Sequence, residues 1–482
     1  MALKVFNYLN REVQRFKPLR PEYVSMYACG PTVYDHAHLG HAKTYIAMDV
    51  IVRYLRYLGY NVRYVRNLTD VGHLLDSGED RISRGARRER VEPMELAETY
   101  INSFNDDMDA LGVIRPNIVP RATCHVLEII GWVEDLLGRG YAYEADGNVY
   151  FSVEKFPEYG KLSQRRVDEQ QAGARVQVRD EKHHPADFAL WKRADPEHIL
   201  RWSSPWGEGY PGWHIECSVM ANKYLGTTFD IHGGGLENMF PHNECEIAQA
   251  EARNGAPFAN YWLLVGSLTV NGVKMSKSLG NFLTIKDALN LYSAEAIRYF
   301  ILSSHYRGPV DFSRDALQAA QRGVGRLHNT VCKLRYALRD ASAAAGTAVL
   351  ANVSSLDDYR EEFQAAMDDD FNTPQALAAL FDFVKEVNRH LDENTHHAMG
   401  TLAAMDRIFR DLGGQVLGIV PDNLEEREGG PTVAGLVEYL LELRQEAREA
   451  RNWSQADDIR SRLTELGILI EDGPDDTTWR LA

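Results

Sequence analysis

The chain has 482 residues, of which 44% are hydrophobic, and a formal net charge of −16 at pH 7. It is too long for one ordinary domain, so about three or four domains are expected. The negative charge argues against non-specific binding of nucleic acid, although local basic faces can still make specific contacts. Because no apolar run reaches membrane-spanning length and the first residues lack a secretory pattern, we expect a cytoplasmic protein without a membrane partner.

The five cysteines are spread widely along the chain, which is not the pattern of a disulfide framework. They are Cys29, Cys124, Cys217, Cys245 and Cys332. This usage indicates a reducing compartment, where each thiol is available for packing, metal binding or chemistry.

The first predicted elements form a strand, a helix and a second strand. Tyr23–Ala28 and Asn61–Arg66 are β-prone, and a helical pattern runs between them from about Gly40 to Leu58. Such a unit predicts a parallel sheet that binds its ligand at the carboxyl ends of the strands.

The middle of the chain, roughly residues 75–205, is predicted to interrupt this sheet. It contains a helical pattern around 127–137 and a short strand at 148–151. A second series resumes with a strand at Thr227–His232, three glycines at 233–235 and a helix from about Pro241 to Arg253. Asn271-Gly272 then predicts a hairpin leading into a lysine-rich loop.

The remaining chain is predicted to be mainly helical. Long stretches rich in Ala, Leu and Arg over 315–338 and 359–391 have helical periodicity, which indicates a helix bundle. A stretch punctuated by glycine and proline, 413–431, separates it from a final unit containing a charged helix pair.

Two short segments predict a nucleotide site. His38 and His41 lie across the predicted N-terminus of the first helix, where the helix dipole favours phosphate, and Gly40 leaves room for adenine on the backbone. Lys274 and Lys277 follow the hairpin and can clamp a triphosphate in the transition state. Taken singly, a helix-capping histidine pair and a solvated lysine loop remain the alternatives.

A third set of side chains predicts a zinc site. His242 and Glu246 are one helical turn apart and can bind one ion from the same face. Cys29, at a strand end, and Cys217 can complete the set, whereas Cys245 is either a rival ligand or a small packed residue.

The histidine and lysine segments resemble the His-Ile-Gly-His and Lys-Met-Ser-Lys-Ser signatures of class I aminoacyl-tRNA synthetases. Further segments are similar to cysteinyl-tRNA synthetases, and this similarity runs from end to end. These segments are 29–35, 212–217, 230–235, 240–242, 367–374, 453–460 and 471–474.

This resemblance implies an α/β fold class with five regions. A Rossmann-like parallel-sheet catalytic domain is expected in two halves, residues 1–120 and 206–300, around an inserted connective domain at 121–205. An α-helical bundle that contacts the tRNA stem, 301–412, and a small C-terminal anticodon-binding unit, 431–482, are expected to follow.

The resemblance also implies the reaction. The family activates L-cysteine with ATP and Mg²⁺ to cysteinyl-adenylate and transfers it to the 3′ end of tRNA(Cys); a monomer is expected. The implied catalytic residues are His38, His41, Lys274 and Lys277, and the implied ATP-binding residues are His38, Gly40, His41 and Lys277.

The family's zinc ligands map onto Cys29, Cys217, His242 and Glu246, which implies one zinc ion per subunit. Zinc suits this substrate because cysteine and serine are nearly isosteric, whereas a soft cation binds a thiolate far better than a hydroxyl. The resemblance further implies an amino-acid pocket formed by Thr32, Thr69, Trp213 and His232. His214 and His232 are otherwise interpretable as packed core histidines.

Some features depart from the family or leave alternatives open. Asn243 stands where many relatives carry a second histidine, which affects only secondary pocket contacts. The arginine-rich segment 81–90 is either a tRNA acceptor-arm contact or a solvated helix, and the basic residues at 444–462 favour a solvated helix.

Two alternative activities remain. An enzyme that passes activated cysteine to an amino sugar, as in mycothiol assembly, typically lacks the terminal unit found here. A non-catalytic paralogue would usually have lost a signature histidine or lysine, and both pairs are intact.

Overall fold

The structure is a computed structural model that describes residues 2–72, 80–165, 181–196, 198–274, 282–341, 354–393, 398–472 and 477–481. The chain divides into two compact units, Met1–Val420 and Pro421–Ala482. Among the described residues, no helix combines the length and the apolar character that a membrane crossing requires.

Near its start, the first unit contains the predicted strand, helix and strand, which are β3, α1 and β4 below. Its first elements are β1 (Lys4–Asn7), β2 (Glu12–Arg15), β3 (Tyr23–Ala28), α1 (Leu39–Tyr57) and β4 (Asn61–Arg66). β3 and β4 pair in parallel, as predicted, and α1 starts and ends within one residue of its predicted bounds. His38 caps the N-terminus of α1 by accepting from the amide of Gly40.

A largely antiparallel region follows. Its elements are α2 (Arg81–Glu89), α3 (Pro93–Ala110), α4 (Val126–Gly138), β5 (Ala142–Ala145), β6 (Asn148–Phe151), β7 (Phe188–Arg193), β8 (Trp202–Ser204) and β9 (Gly207–Pro211). The five strands form one antiparallel sheet in the order β5-β6-β7-β9-β8. This sheet is separate from the parallel one, in agreement with the predicted interruption.

The chain then returns to the parallel sheet. The elements are α5 (Ile215–Leu225), β10 (Phe229–Gly235), α6 (Glu244–Asn254), β11 (Ala259–Val265), β12 (Leu268–Val270) and β13 (Val273–Lys274). The sheet has the order β11-β10-β3-β4, and every pairing in it is parallel. The fold class is therefore α/β, as predicted.

The three glycines after His232 belong to β10, so this strand runs through Gly235 and is longer at its end than the predicted Thr227–His232. A Cβ atom on Gly233 would lie 2.4 Å from Sδ of Met48, which belongs to α1. The absence of a side chain at this position lets α1 pack directly on the centre of the sheet.

The described residues in the rest of the first unit are mainly helical and include one short strand. Its elements are α7 (Ile285–Leu289), α8 (Ala294–Leu302), β14 (Val310–Phe312), α9 (Arg314–Ala341), α10 (Ser354–Asp368), α11 (Thr373–Glu393) and α12 (Met399–Ile408). α9 packs against α8, α11 and α12, and α10 packs against α11, which gives the predicted helix bundle.

The stretch over 359–391, predicted to be mainly helical, consists of two helices, with a break between α10 and α11. Asp370 and Phe371 have positive φ angles of 59° and 52°, a left-handed conformation that no regular helix contains. The Asp370 carboxylate accepts from the backbone amide of Phe6 at 2.7 Å and from Nε of Arg307 at 2.6 Å. These contacts with distant parts of the chain stabilise the break.

The second unit contains α13 (Leu424–Glu449), α14 (Trp453–Glu465), β15 (Ile468–Asp472) and β16 (Thr477–Leu481). Its two strands form an antiparallel pair, and its small core includes Val437, Leu463, Ile468 and Ile470. The predicted linker at 413–431 is wrong in its extent, because the chain is helical through Val416 and α13 begins at Leu424.

Candidate active site

A cluster of four buried side chains lies beside the carboxyl end of β3. Its members are Cys29, Cys217, His242 and Glu246, and their candidate ligand atoms all lie within 4.8 Å of one another. Cys29 directly follows β3, Cys217 belongs to α5, and His242 and Glu246 lie just before and within the first turn of α6. Residues far apart in sequence thus meet at one point. The structure thus brings together all four predicted ligands.

The donor set of this cluster suits a zinc ion. Two sulfur atoms, one imidazole nitrogen and one carboxylate oxygen are common zinc ligands, and four protein donors satisfy the usual tetrahedral arrangement. Oε1 of Glu246 lies 3.1 Å from Nε2 of His242 and 3.4 Å from Sγ of Cys29. Such close donors, all buried, form an arrangement that can hold a metal ion.

The charges in the cluster also favour a cation. Burial opposes ionisation of Glu246, but His232 and His242 outweigh it and lower the pKa of this carboxyl well below its usual range. Burial likewise lowers the pKa of His242 by itself, whereas Glu246 and Cys217 reverse this effect and raise that pKa to about 10. A buried carboxylate therefore needs a positive partner, and a proton on His242 provides one where no metal is bound.

His232 and Asn243 orient the Glu246 carboxylate. Nε2 of His232 lies 2.7 Å from Oε2 of Glu246, and Nδ2 of Asn243 donates to Oε1 at 3.0 Å. Asn243 also lies within 3.6 Å of Sγ of Cys29. The asparagine that departs from the family pattern is thus in direct contact with two candidate ligands.

Cys245 lies outside the cluster. Its thiol is fully buried and lies 3.5 Å from the hydroxyl group of Tyr159. Burial raises the pKa of Cys245 well above its usual range, which keeps it a neutral thiol. The structure therefore favours a packing role for this residue over the rival ligand role.

The signature histidines lie at the N-terminus of α1 with their rings 4.0 Å apart. Nδ1 of His38 accepts from the amide of Gly40 at 3.0 Å, and Nδ1 of His41 accepts from the amide of His38 at 3.2 Å. An Nδ1 atom that accepts a hydrogen bond leaves the ring proton of a neutral imidazole on Nε2. Burial, together with the neighbouring His38, lowers the pKa of His41 to about 3, so His41 is a neutral donor at pH 7.

The chain that follows the lysine motif lies close to these histidines. β12 and β13 form the predicted hairpin at Asn271-Gly272, and Lys274 is its last residue. Lys277 and the rest of the motif, residues 275–281, lie outside the described residues. The chain that follows forms a β-bridge between Thr284 and His38.

Three segments of the chain match known protein families, and whole relatives match it over almost its full length. Residues 15–322 match the family described as the class I (C) tRNA synthetase catalytic domain, residues 362–421 match the DALR domain, and residues 431–480 match the cysteinyl-tRNA ligase anticodon-binding domain. The cysteine–tRNA ligase of Chlorobium luteolum is 51% identical over 99% of each chain. That of Thermus thermophilus is 49% identical over 100% of each chain.

The chain belongs to the cysteine–tRNA ligase family. Solved structures show the wider fold. Mycobacterium tuberculosis methionyl-tRNA synthetase in complex with methionyl-adenylate aligns with a TM-score of 0.60 at 15% identity, covering 84% of this chain and 92% of that one. At this identity the likeness concerns the class I fold alone.

Two of the four residues predicted for the amino-acid pocket, Trp213 and His232, contact the cluster. The ring of Trp213 lies 4.4 Å from that of His242, and His232 contacts Glu246 as described above. Thr32 and Thr69 form a β-bridge just beyond β3 and β4. His214 lies 2.9 Å from Nδ1 of His242, and burial, together with the charge of His242, lowers the pKa of His214 to about 3.

Two further polar residues of the site were not predicted. Asn67 accepts from the amide of Gly30 at 2.7 Å, donates to Thr69 at 3.2 Å and lies 3.8 Å from Sγ of Cys217. Glu216 accepts from the hydroxyl group of Thr69 at 3.0 Å, and burial raises the pKa of its carboxyl well above the usual range. Their positions next to Thr69 and Cys217 in the sequence were the available signal.

The arginine-rich helix α2 makes several contacts within the protein. Arg81 donates to the hydroxyl group of Tyr34 at 2.8 Å and lies over its ring. Arg88 pairs with Glu89 at 2.7 Å and lies 3.7 Å from Asp35. These two arginines therefore have structural partners and do not by themselves indicate a tRNA contact.

Proposed function

We propose that the protein activates L-cysteine with ATP to cysteinyl-adenylate, releasing pyrophosphate, and then transfers the cysteinyl group to the 3′ end of tRNA(Cys). The observation that carries this proposal is the buried Cys-Cys-His-Glu cluster. Family membership supplies the reaction class, and the cluster supplies a physical basis for the choice of amino acid.

Zinc is the metal we propose for this cluster, one ion per subunit, with Cys29, Cys217, His242 and Glu246 as its ligands. A bound zinc ion would supply a soft Lewis acid that prefers the thiolate of cysteine to the hydroxyl of serine. His232 and Asn243 would hold the Glu246 carboxylate in its binding orientation through the contacts described above.

Trp213, Thr32 and Thr69 are proposed to bound the rest of the amino-acid pocket. The Trp213 ring packs against the imidazole of His242, which places an apolar wall beside the cluster. The Thr69 hydroxyl group is oriented by Asn67 and Glu216, so its position relative to the cluster is fixed. A small pocket with fixed walls is what a side chain as short as that of cysteine requires.

The signature segments are proposed to bind ATP. Nε2–H groups of His38 and His41 would donate to the phosphates, and Gly40 would allow adenine to approach the backbone. The positive end of the α1 dipole favours the same phosphates. Lys274 and Lys277 would stabilise the charge that develops as pyrophosphate leaves, with Mg²⁺ entering as the ATP complex.

We also propose a role for each region of the chain. We assign residues 1–120 and 206–300 to the catalytic domain, 121–205 to the connective insertion, 301–412 to tRNA stem contact and 431–482 to anticodon binding. A monomer in the cytoplasm is the proposed working form. The match of residues 431–480 to an anticodon-binding domain favours tRNA over an amino-sugar acceptor.

The test of this function has two steps. Cysteine-dependent exchange of pyrophosphate into ATP should be observed, and serine at the same concentration should support little exchange. Cysteinylation of a tRNA(Cys) transcript should follow when tRNA is added. Equal exchange with serine would contradict the proposed substrate, and exchange without charging of tRNA would contradict the proposed acceptor.

A further inference from the structure

A buried lysine lies two residues after His41. Lys43 belongs to α1, and only 1% of its surface is exposed. Burial lowers the pKa of Lys43 to about 8, so the side chain is still mainly an ammonium group at pH 7. Because a buried charge is costly unless its hydrogen bonds are made, the partners of this ammonium are informative.

The Lys43 ammonium joins two segments that are far apart in sequence. Nζ donates to the carbonyl oxygen of Ser267 at 3.0 Å and to that of Gly308 at 2.6 Å. Ser267 directly precedes β12, and Gly308 lies two residues before β14. β12 and β14 pair in parallel, so the ammonium lies where the two strands begin.

The two segments approach each other closely at a glycine. A Cβ atom on Gly266 would lie 2.4 Å from the carbonyl oxygens of both Arg307 and Gly308. The amide of Gly266 donates to Tyr306, and the amide of Val310 donates to Ser267. Lys43 therefore adds a charged contact from α1 to a crossing that the backbone already forms.

This crossing is the base of the hairpin that leads into the lysine motif. β12 pairs with β13, with Thr269 opposite Lys274. After the motif, the amide of Leu39 donates to Leu283 at 3.2 Å, and that of Ile285 donates to Ala37 at 3.0 Å. On both sides of the motif, the chain is thus hydrogen-bonded to α1 or to the residues just before it.

We propose that Lys43 is a positioning residue for amino-acid activation: its ammonium fixes the base of the β12–β13 hairpin against the helix that carries His38 and His41. It acts through the carbonyl groups of Ser267 and Gly308 and does not touch ATP or cysteine. The inference rests on the proposed function, since it concerns the geometry between the two proposed ATP-binding segments. The zinc cluster lies on β3, α5 and α6 and does not depend on this contact.

The test compares Lys43→Met and Lys43→Arg with the wild-type, full-length, zinc-loaded enzyme in cysteine-dependent pyrophosphate exchange. Lys43→Met should lower kcat by about 10–100-fold and raise KM for ATP, because small misplacements of reacting groups are costly in the transition state. Zinc content and KM for cysteine should stay within about twofold of wild type, because binding of the amino acid is not affected.

Lys43→Arg is the matched variant that keeps the charge and the donors. This variant should recover kcat to within about threefold of wild type. A general loss of structure would lower the apparent kcat and the zinc content together, and arginine would not restore them.

Three results would overturn the inference: wild-type kcat in Lys43→Met, a parallel loss of zinc and cysteine binding, or the absence of rescue by arginine. If Lys43→Met does not fold, Gly266→Ala tests the same contact by displacing the carbonyl group of Gly308, one of the two that Lys43 contacts, while keeping the ammonium. This variant should show the same rise in KM for ATP. An unchanged KM for ATP in that variant would also contradict the inference. A wild-type enzyme without exchange activity would instead refute the proposed function.

Discussion

Cys217 and Cys245 are both buried cysteines, yet the structure gives them different surroundings. Cys217 lies within the four-donor cluster, whereas Cys245 contacts the Tyr159 hydroxyl group. The two residues therefore offer the same substitution in two environments, which separates metal binding from packing.

Cys217→Ser should abolish zinc binding and cysteine activation together. The hydroxyl of serine is a poor zinc ligand, so three good donors would remain and the site would lose the geometry that holds the metal. Zinc content by atomic emission and cysteine-dependent pyrophosphate exchange measure the two effects. Cys245→Ser, the control, should retain both, and normal activation by a zinc-free Cys217→Ser enzyme would refute the ligand role.

His232→Leu should weaken zinc binding without removing a ligand. The imidazole holds Oε2 of Glu246 at 2.7 Å, and loss of such an orienting contact typically costs about 10–100-fold in metal affinity. Competition with a chromogenic chelator measures the change. An affinity equal to that of the wild type would show that Glu246 is positioned by other contacts, such as that with Asn243.

At the level of the secondary-structure elements, α1 connects the site to the helical part of the first unit. Asp49 of α1 forms an ion pair with Arg298 of α8 at 2.6 Å, and both side chains are at most 1% exposed. Arg298 also donates to the carbonyl of Leu417 at 2.8 Å. The helix that presents His38 and His41 is thereby attached to two further segments.

Arg298→Met should lower the free energy of unfolding by about 3 kcal/mol, because it removes the fully buried partner of the Asp49 carboxylate, which then keeps its 2.8 Å ion pair with the partly exposed Arg53. Urea unfolding followed by tryptophan fluorescence measures the shift. Arg389→Met is the matched control, since Arg389 is 56% exposed and its ion pairs with Glu386 and Glu393 are screened by solvent. Equal midpoints for the two variants would contradict a stabilising role for the buried pair.

Much of the element order could be predicted from local patterns. β3, β4 and β6 have the predicted bounds because their β-branched and aromatic residues suit a buried strand. The break between α10 and α11 was not predictable in this way. It depends on contacts of Asp370 with Phe6, Tyr306 and Arg307, which the local sequence does not contain.

The candidate site, too, could be predicted only in part from the local sequence. The spacing of His242 and Glu246 on one helical face was sufficient to predict that they act together. The contacts of Asn67 with Gly30, Thr69 and Cys217 arise only when β4, β3 and α5 meet in the fold. Sequence patterns thus identified the proposed ligands, whereas the groups that orient them required the tertiary structure.

On the scale of the whole molecule, the boundary between the two units indicates where the proposed tRNA-reading part can be removed. The boundary follows Val420, and α13 begins at Leu424. A cut at residue 431 would interrupt this helix, whereas a cut after Val420 leaves each helix of the first unit whole.

A chain ending at Val420 should retain cysteine-dependent pyrophosphate exchange within about threefold of the full-length enzyme while its kcat/KM for tRNA(Cys) charging falls by about 100-fold or more. The physical reason is that every proposed zinc ligand and both signature segments lie before the cut. Exchange and charging assays on the same preparations measure the split. Equal losses of the two activities would show that the second unit has a structural role.

In the proposed function, a zinc ion held by the buried cluster recognises the cysteine thiol. Cobalt substituted for zinc makes this directly visible, because a new sulfur ligand adds charge-transfer absorption in the near ultraviolet. Addition of L-cysteine to the cobalt-substituted enzyme should increase this absorption, and L-serine should leave the spectrum unchanged. A folded enzyme that contains no stoichiometric metal, or a cobalt spectrum that does not respond to cysteine, would contradict the claim.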